Sequence, residues 1–228
     1  MKNILITCFL VACLIQAKAQ STKQYYKDNL ECVSDLSQKS NDAFLISKDY
    51  ELGRNLFDSL VNNCIKGRYL SSYEFRTLKK NTINTKEFSK PILLVTSASW
   101  CAPCYGEIPT LNKIANKYFD KLQIIVLFAD QKNKMKKMAT RYDDNIILIP
   151  ALSPPSDQRT LSLSISGFDH MLDFPTIYLI DADKRILDIS RGAAFPSDKM
   201  NWEEVNRINE KNLMKFLAPI LFYRHIQI

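Results

Sequence analysis

Apolar residues recur at two spacings along the chain, and the change from one to the other divides it. From Gln20 to about Arg68 the spacing is helical: Leu30, Val33 and Leu36 fall three apart, and Leu52, Leu56, Leu60 and Ile65 form a second stripe. Asn41-Asp42 and Ser47 are expected to break the two helices, and Gly67 stands where a glycine beyond a helix end falls. Tyr73, Phe75 and Thr77, followed by Thr82 to Thr85, predict a short hairpin with a Lys-Lys-Asn turn. The run Pro91-Ile92-Leu93-Leu94-Val95-Thr96 is continuously apolar and too short for a helix, as in a strand buried on both faces.

Helical spacing returns at Ile108, Leu111, Ile114, Ala115 and Tyr118, and Leu122 to Phe128 reads as a second buried strand. Lys132 to Tyr142 predicts a basic amphipathic helix, and Ile146 to Ile149 a short edge strand. Ala151 to Met171 stays open: Pro154-Pro155 breaks it, while Leu161, Leu163 and Ile165 alternate with serines in a strand or a loose helix. Thr176 to Ile180 and Arg185 to Ile189 predict a hairpin across Asp181-Ala182-Asp183-Lys184. Trp202, Val205, Ile208, Leu213, Phe216 and Leu217 fit a terminal helix packed on a sheet. The order β-α-β followed by β-β-α is that of an α/β domain, a central mixed sheet flanked by helices.

Composition is ordinary for one globular domain with an appendage: 228 residues, 46% hydrophobic and 24% charged, with five glycines and nine prolines. There is no internal repeat or low-complexity linker. The N-terminus changes the picture. Lys2 and Asn3 precede the run Ile4 to Ile15, and Ala17-Lys18-Ala19 supplies small residues at a cleavage site, so residues 1–19 read as a signal peptide. That run is too short for the roughly 20 residues of a membrane-spanning helix. An alternative is a lipoprotein anchored through Cys13, in Leu10-Val11-Ala12-Cys13. The organisation expected is therefore a signal peptide at 1–19, a helical N-terminal extension at 20–71 and an α/β domain at 72–228. The net charge of +7 falls to +5 without Lys2 and Lys18. The densest basic stretch, Lys132 to Lys137, lacks interleaved aromatics, which argues against nucleic-acid binding.

Export leaves Cys32, Cys64, Cys101 and Cys104 in an oxidising space. For Cys32 and Cys64 the default is a structural disulfide, and the alternative is two separate buried thiols. An antiparallel helical hairpin turning near residue 44 would set Cys32 opposite about residue 56, and bonded α-carbons must lie within roughly 7 Å, so the bond requires splayed or unequal helices. Cys101 and Cys104 form a Cys-x-x-Cys directly after the strand run and before a helix. The first sulfur then lies at a helix start, where unpaired N–H groups and the dipole favour a thiolate. Cys101 is the candidate nucleophile and Cys104 the resolving thiol. A zinc site would need further ligands, and the two histidines, His170 and His225, lack the spacing, so neither metal nor other cofactor is expected beyond the Cys101/Cys104 disulfide.

The run Trp100-Cys101-Ala102-Pro103-Cys104-Tyr105-Gly106-Glu107-Ile108-Pro109 resembles the active site of thioredoxin-like proteins, particularly the exported TlpA/ResA-type thiol-disulfide oxidoreductases. Ser97-Ala98-Ser99, Pro109 and Phe174-Pro175-Thr176 resemble, in order, the segment before the family's Trp-Cys, the proline that bends its active-site helix and its cis-proline loop. The similarity covers about residues 72 to 218. It implies a thioredoxin-like fold, a cis Pro175 packed against the disulfide, Trp100 shielding the sulfurs, and Glu107 as a proton handler, with Phe174 and Pro103 facing substrate. Val95 stands where cytoplasmic thioredoxins have a buried aspartate, and Phe174 where the family has a smaller or β-branched residue. His170 lies close enough to Pro175 in sequence to approach the sulfurs, against a structural or solvated role.

Ala102-Pro103 resembles the reducing members, so the resemblance implies a reductase of disulfides in exported proteins or apocytochrome c. Its electrons would come from a membrane thiol carrier of the DsbD/CcdA kind. The alternatives are an oxidase or isomerase, a peroxiredoxin-like peroxidase, whose Thr-x-x-Cys context is missing, and a non-catalytic partner-binding module.

Overall fold

The longest apolar runs become the inner strands of a sheet, because a strand covered on both faces needs no polar residue. The computed structural model describes residues 23–152, 163–165 and 168–222. The expected signal peptide and Cys13 anchor fall outside these residues. The first helices are α1 (Leu30–Leu45) and α2 (Tyr50–Leu60), the latter running into a π-helical turn, Val61–Ile65. A small hairpin follows, β1 (Glu74–Arg76) with β2 (Thr82–Asn84). Then come β3 (Ile92–Ser97), α3 (Ala102–Tyr118), β4 (Gln123–Gln131), α4 (Lys132–Ala139) and β5 (Ile146–Ala151). The chain continues through β6 (Leu163–Ile165), β7 (Phe168–His170), β8 (Thr176–Ile180), β9 (Ile186–Arg191) and α5 (Trp202–Leu221).

The main sheet runs β5-β4-β3-β8-β9. Strand β3, buried at all six positions, is parallel to β4 and antiparallel to β8, with Thr96 opposite Thr176. This is the thioredoxin-like α/β fold. The stretch ambiguous in sequence holds the hairpin β6–β7, whose Phe168 ring stacks on Tyr26 and meets Tyr178 edge-on. That aromatic cluster fastens the N-terminal segment to the sheet. Residues 67–70 also pair with the outer edge: Gly67 N–H donates to Ile186 O and Leu70 N–H to Lys184 O, so β9 presents no long open edge there.

Three expectations need correction. Asn41-Asp42 does not break the first helix but lies inside α1, and the chain turns at residues 46–49. Asn41 is buried and its side-chain oxygen is taken by Arg191, so a residue that disfavours helix interiors locally is held there by a distant partner. A turn centred between residues 47 and 48 sets Cys32 opposite residue 63 rather than 56. Cys32 and Cys64 are accordingly joined, with α-carbons 5.7 Å apart, and the helices need not be splayed. The basic helix is also shorter than its pattern, ending at Ala139.

Candidate active site

Register explains how two motifs some seventy residues apart meet. Thr96, the last β3 residue paired with β8, lies five residues before Cys101, and Thr176 opens β8 one residue after Pro175, so their pairing sets the cysteine loop beside the proline loop. The Thr176 N–H donates to Thr96 Oγ1 at 3.1 Å, which locks the junction. The Phe174–Pro175 peptide is cis.

Cys101 is the N-cap of α3. Its Sγ accepts the Cys104 N–H at 3.1 Å, and Pro103 occupies the first turn, where a missing N–H costs nothing. The two cysteines are disulfide-bonded, with α-carbons 5.3 Å apart. A sulfur in this position faces the free N–H groups of a 17-residue helix, which stabilise a thiolate when the bond opens. Both are nearly covered, Cys101 at 4% and Cys104 at 2% exposure. Trp100, by contrast, is 66% exposed and rests edge-on against Phe174 at 5.7 Å between ring centres.

Glu107 lies one turn beyond Cys104, on the same face of α3. It is buried, its Oε2 has no hydrogen-bond partner, and burial pushes its carboxyl up to about 8. A carboxyl so placed takes up or gives a proton near neutral pH, where an ordinary surface glutamate cannot. Val95 is buried in β3, so Glu107 is the acid that α3 itself supplies.

His170 is in β7 and fully buried. Its Nδ1 lies 3.1 Å from the Tyr178 hydroxyl and its Nε2 3.4 Å from Thr96 Oγ1, while Phe174 packs against its ring at 5.1 Å. Burial drops its pKa to about 4, so it is a neutral structural imidazole bracing the strand junction.

Three supports of the site were not anticipated from sequence. Asp130, at the end of β4, accepts the Ser99 backbone N–H and, at 2.8 Å, the Ser99 hydroxyl, and so holds the loop that leads to Trp100. An acid at the end of the apolar run Leu127-Phe128-Ala129 was the available signal. Asn209, buried on α5, donates to Gly106 O at 2.9 Å and to Ala194 O at 3.0 Å, and accepts the Ala194 N–H at 2.8 Å. Gly106 allows this approach: a β-carbon there would lie 2.2 Å from Ala194 O. Arg191, at the end of β9, reaches the residue before Phe174.

A family model described as "AhpC/TSA family" matches residues 67–189. The chain is 26% identical over 129 residues to the thioredoxin-like protein YneN of Bacillus subtilis, covering 56% of this chain and 72% of that protein. It is 26% identical over 129 residues to the thiol-disulfide oxidoreductase ResA of Bacillus thuringiensis, covering 55% and 69%. Among solved structures it is similar to a thio-disulfide isomerase from Thermus thermophilus, with 17% identity and a TM-score of 0.47, covering 68% of this chain and 96% of that one.

Proposed function

The chain belongs to the AhpC/TSA family and is a thiol-disulfide oxidoreductase with a Cys101–Cys104 disulfide, and from that premise we propose that it is a reductase of protein disulfides outside the cytoplasm. The observation that carries this is Cys101 Sγ capping α3 while the cis Phe174–Pro175 peptide is brought alongside by the Thr96–Thr176 pairing. In the reduced enzyme the Cys101 thiolate attacks one sulfur of a substrate disulfide. The substrate's S–S bond breaks, its other sulfur leaves as a thiolate, and Cys101 is bonded to the substrate. Cys104 then attacks the Cys101 sulfur, releasing the second substrate thiol and closing the Cys101–Cys104 bond. Substrate is reduced by two electrons and the enzyme oxidised by two.

The proton leaving Cys104 in that second step has a nearby acceptor in Glu107, whose ionisation near neutral pH suits it. Phe174, Pro175 and Pro103 form the face on which substrate rests, with Trp100 at its rim. The Ala102-Pro103 pair between the cysteines favours the reducing direction. The substrates proposed are disulfides of exported proteins or apocytochrome c, and a membrane dithiol carrier of the DsbD/CcdA type restores the reduced enzyme. The leader-like N-terminus supports the periplasm, or an equivalent extracytoplasmic space, as the location in this reading.

Insulin reduction by the pre-reduced protein tests the chemistry. Wild type is expected to precipitate the insulin B chain, Cys101→Ser to be inactive, and Cys104→Ser to accumulate the mixed disulfide. Equal background rates in wild type and Cys101→Ser would refute the enzymatic reading. Equilibration with glutathione tests direction, and a pair as oxidising as DsbA, near −120 mV, would make the protein an oxidase.

A further inference from the structure

One guanidinium touches both helices of the N-terminal extension and the loop that carries the cis-proline. Arg191 is the last residue of β9 and the register partner of Thr176, and the next residue's N–H, that of Gly192, donates to Pro175 O at 2.8 Å. Arg191 Nη1 donates to Asn41 Oδ1 on α1 at 3.1 Å and to Asp173 Oδ2 at 3.4 Å. Its Cζ lies 4.3 Å from the centre of the Phe57 ring on α2 and 5.8 Å from that of Phe44 on α1. A second tie runs beside it, from Ser37 Oγ on α1 to Met171 O at 3.0 Å. The Arg191 side chain is 15% exposed and Asn41 is buried, so the bond between them is shielded from competing water, whereas the Asp173 carboxylate at its other side is 44% exposed.

The consequence is geometric. Residues 171–175 connect β7 to β8 and contain Phe174, whose ring meets both Trp100 and His170. Asp173 is the neighbour of Phe174, and the Thr176 hydroxyl donates to Asp173 O, so a shift at Asp173 is carried into the cis peptide. A small disulfide needs only to reach the sulfur at the start of α3. A polypeptide must also lie along residues 173–175.

We propose that Arg191 is a positioning residue for exchange with protein disulfides: it clamps the N-terminal helical hairpin to the Asp173–Pro175 loop and so fixes the surface on which a substrate polypeptide rests. This rests on the reading of Phe174 and Pro175 as the substrate face. The extension is thereby part of the active-site scaffold. Its role is to hold the proline loop in the one arrangement compatible with a polypeptide, which is why a positive side chain of β9 turns toward helices rather than solvent.

The test compares two disulfides, insulin and the small aromatic disulfide DTNB, in single-turnover reactions of the full-length reduced protein. Arg191→Met keeps an unbranched stem but loses the guanidinium that lies over Phe57 and bonds Asn41 and Asp173, and is expected to slow insulin reduction about tenfold or more while DTNB stays within about twofold. Its equilibrium with glutathione should likewise stay within about twofold. Arg191→Lys is expected to recover part of the insulin rate, since an ammonium keeps the positive charge for Asp173 but not the planar group that lies over Phe57. Asp173→Asn should slow insulin in the same selective way, and adding it to Arg191→Met should slow it little further, because both remove one interaction. Equal slowing of insulin and DTNB, an unchanged insulin rate, or full additivity in the double variant would each overturn the proposal. Should Arg191→Met fail to fold, Arg191→Lys and Asp173→Asn carry the same comparison. A wild type unable to reduce insulin would overturn the reading of function instead, and the two failures are distinct.

Discussion

Glu107 makes the stability of the oxidised protein depend on pH in a direction opposite to that of most carboxylates. Burial holds its carboxyl at about 8 in the folded chain, against an ordinary 4.5. Between those values the folded chain keeps a proton that the unfolded chain has released. The unfolded state therefore binds fewer protons, and stability falls as pH rises. Each pH unit in that window removes about 1.4 kcal/mol, so the whole window amounts to about 5 kcal/mol, fully present below pH 4.5 and lost by pH 8. Glu107→Gln keeps the shape and cannot ionise. Guanidinium unfolding of the two oxidised proteins at matched ionic strength, from pH 4.5 to 9, measures the effect. Other titrating groups are common to both proteins and cancel in the difference. The expected result is a variant that gains on wild type steadily across the window and exceeds it by several kcal/mol at pH 9. Two curves that run parallel would refute the argument, since a carboxyl that ionises normally gives no such divergence.

The neutral His170 acts at the other end of the scale. Its pKa is lowered from 6.5 to about 4, so its contribution is complete above pH 6.5 and is lost as pH falls toward 4, about 3 kcal/mol in all. His170→Gln should flatten the acid limb of the same unfolding series. Gly106→Ala drives a β-carbon to 2.2 Å from the Ala194 carbonyl, a backbone atom that cannot swing aside. The cost is expected to exceed about 2 kcal/mol, read as a fall in Tm of about 5 °C or more. Replacing both Cys32 and Cys64 by serine opens a cross-link between residues 32 apart, which should lower stability by about 3–4 kcal/mol in chemical denaturation.

Much of the fold is legible because its signals are local. Strand β3 is an unbroken apolar run, and the Asp181–Lys184 turn sits between two such runs. The cysteine pair is likewise a local word, and its place at a strand-to-helix junction follows from the residues on either side. The errors arise where a distant partner overrules local preference. Asn41 reads as a helix breaker until Arg191, 150 residues away, takes its side-chain oxygen. The turn then shifts by about three residues, and with it the residue opposite Cys32. The hairpin of β6 and β7 is unreadable for a similar reason: Phe168 is stacked on Tyr26, at the far end of the chain, as well as meeting Tyr178.

The same logic gives meaning to the chain's departure at Phe174, where its thioredoxin-like relatives are expected to have a smaller side chain. A large ring before a cis-proline needs flat neighbours, and it has them in Trp100, edge-on at 5.7 Å, and His170, tilted at 5.1 Å. His170 in turn needs cover, since a neutral buried imidazole is stable only where its nitrogens are met. Tyr178 and Thr96 meet them from β8 and β3. Phe174 and His170 therefore form a single adaptation, and exchanging Phe174 alone for a small residue would uncover the imidazole. Phe174→Thr should raise the His170 pKa toward 6.5, visible as a shift of its ring-proton titration in NMR. A titration still centred near 4 would show that the strands alone keep His170 buried, and that the aromatic loop residue serves substrate contact only.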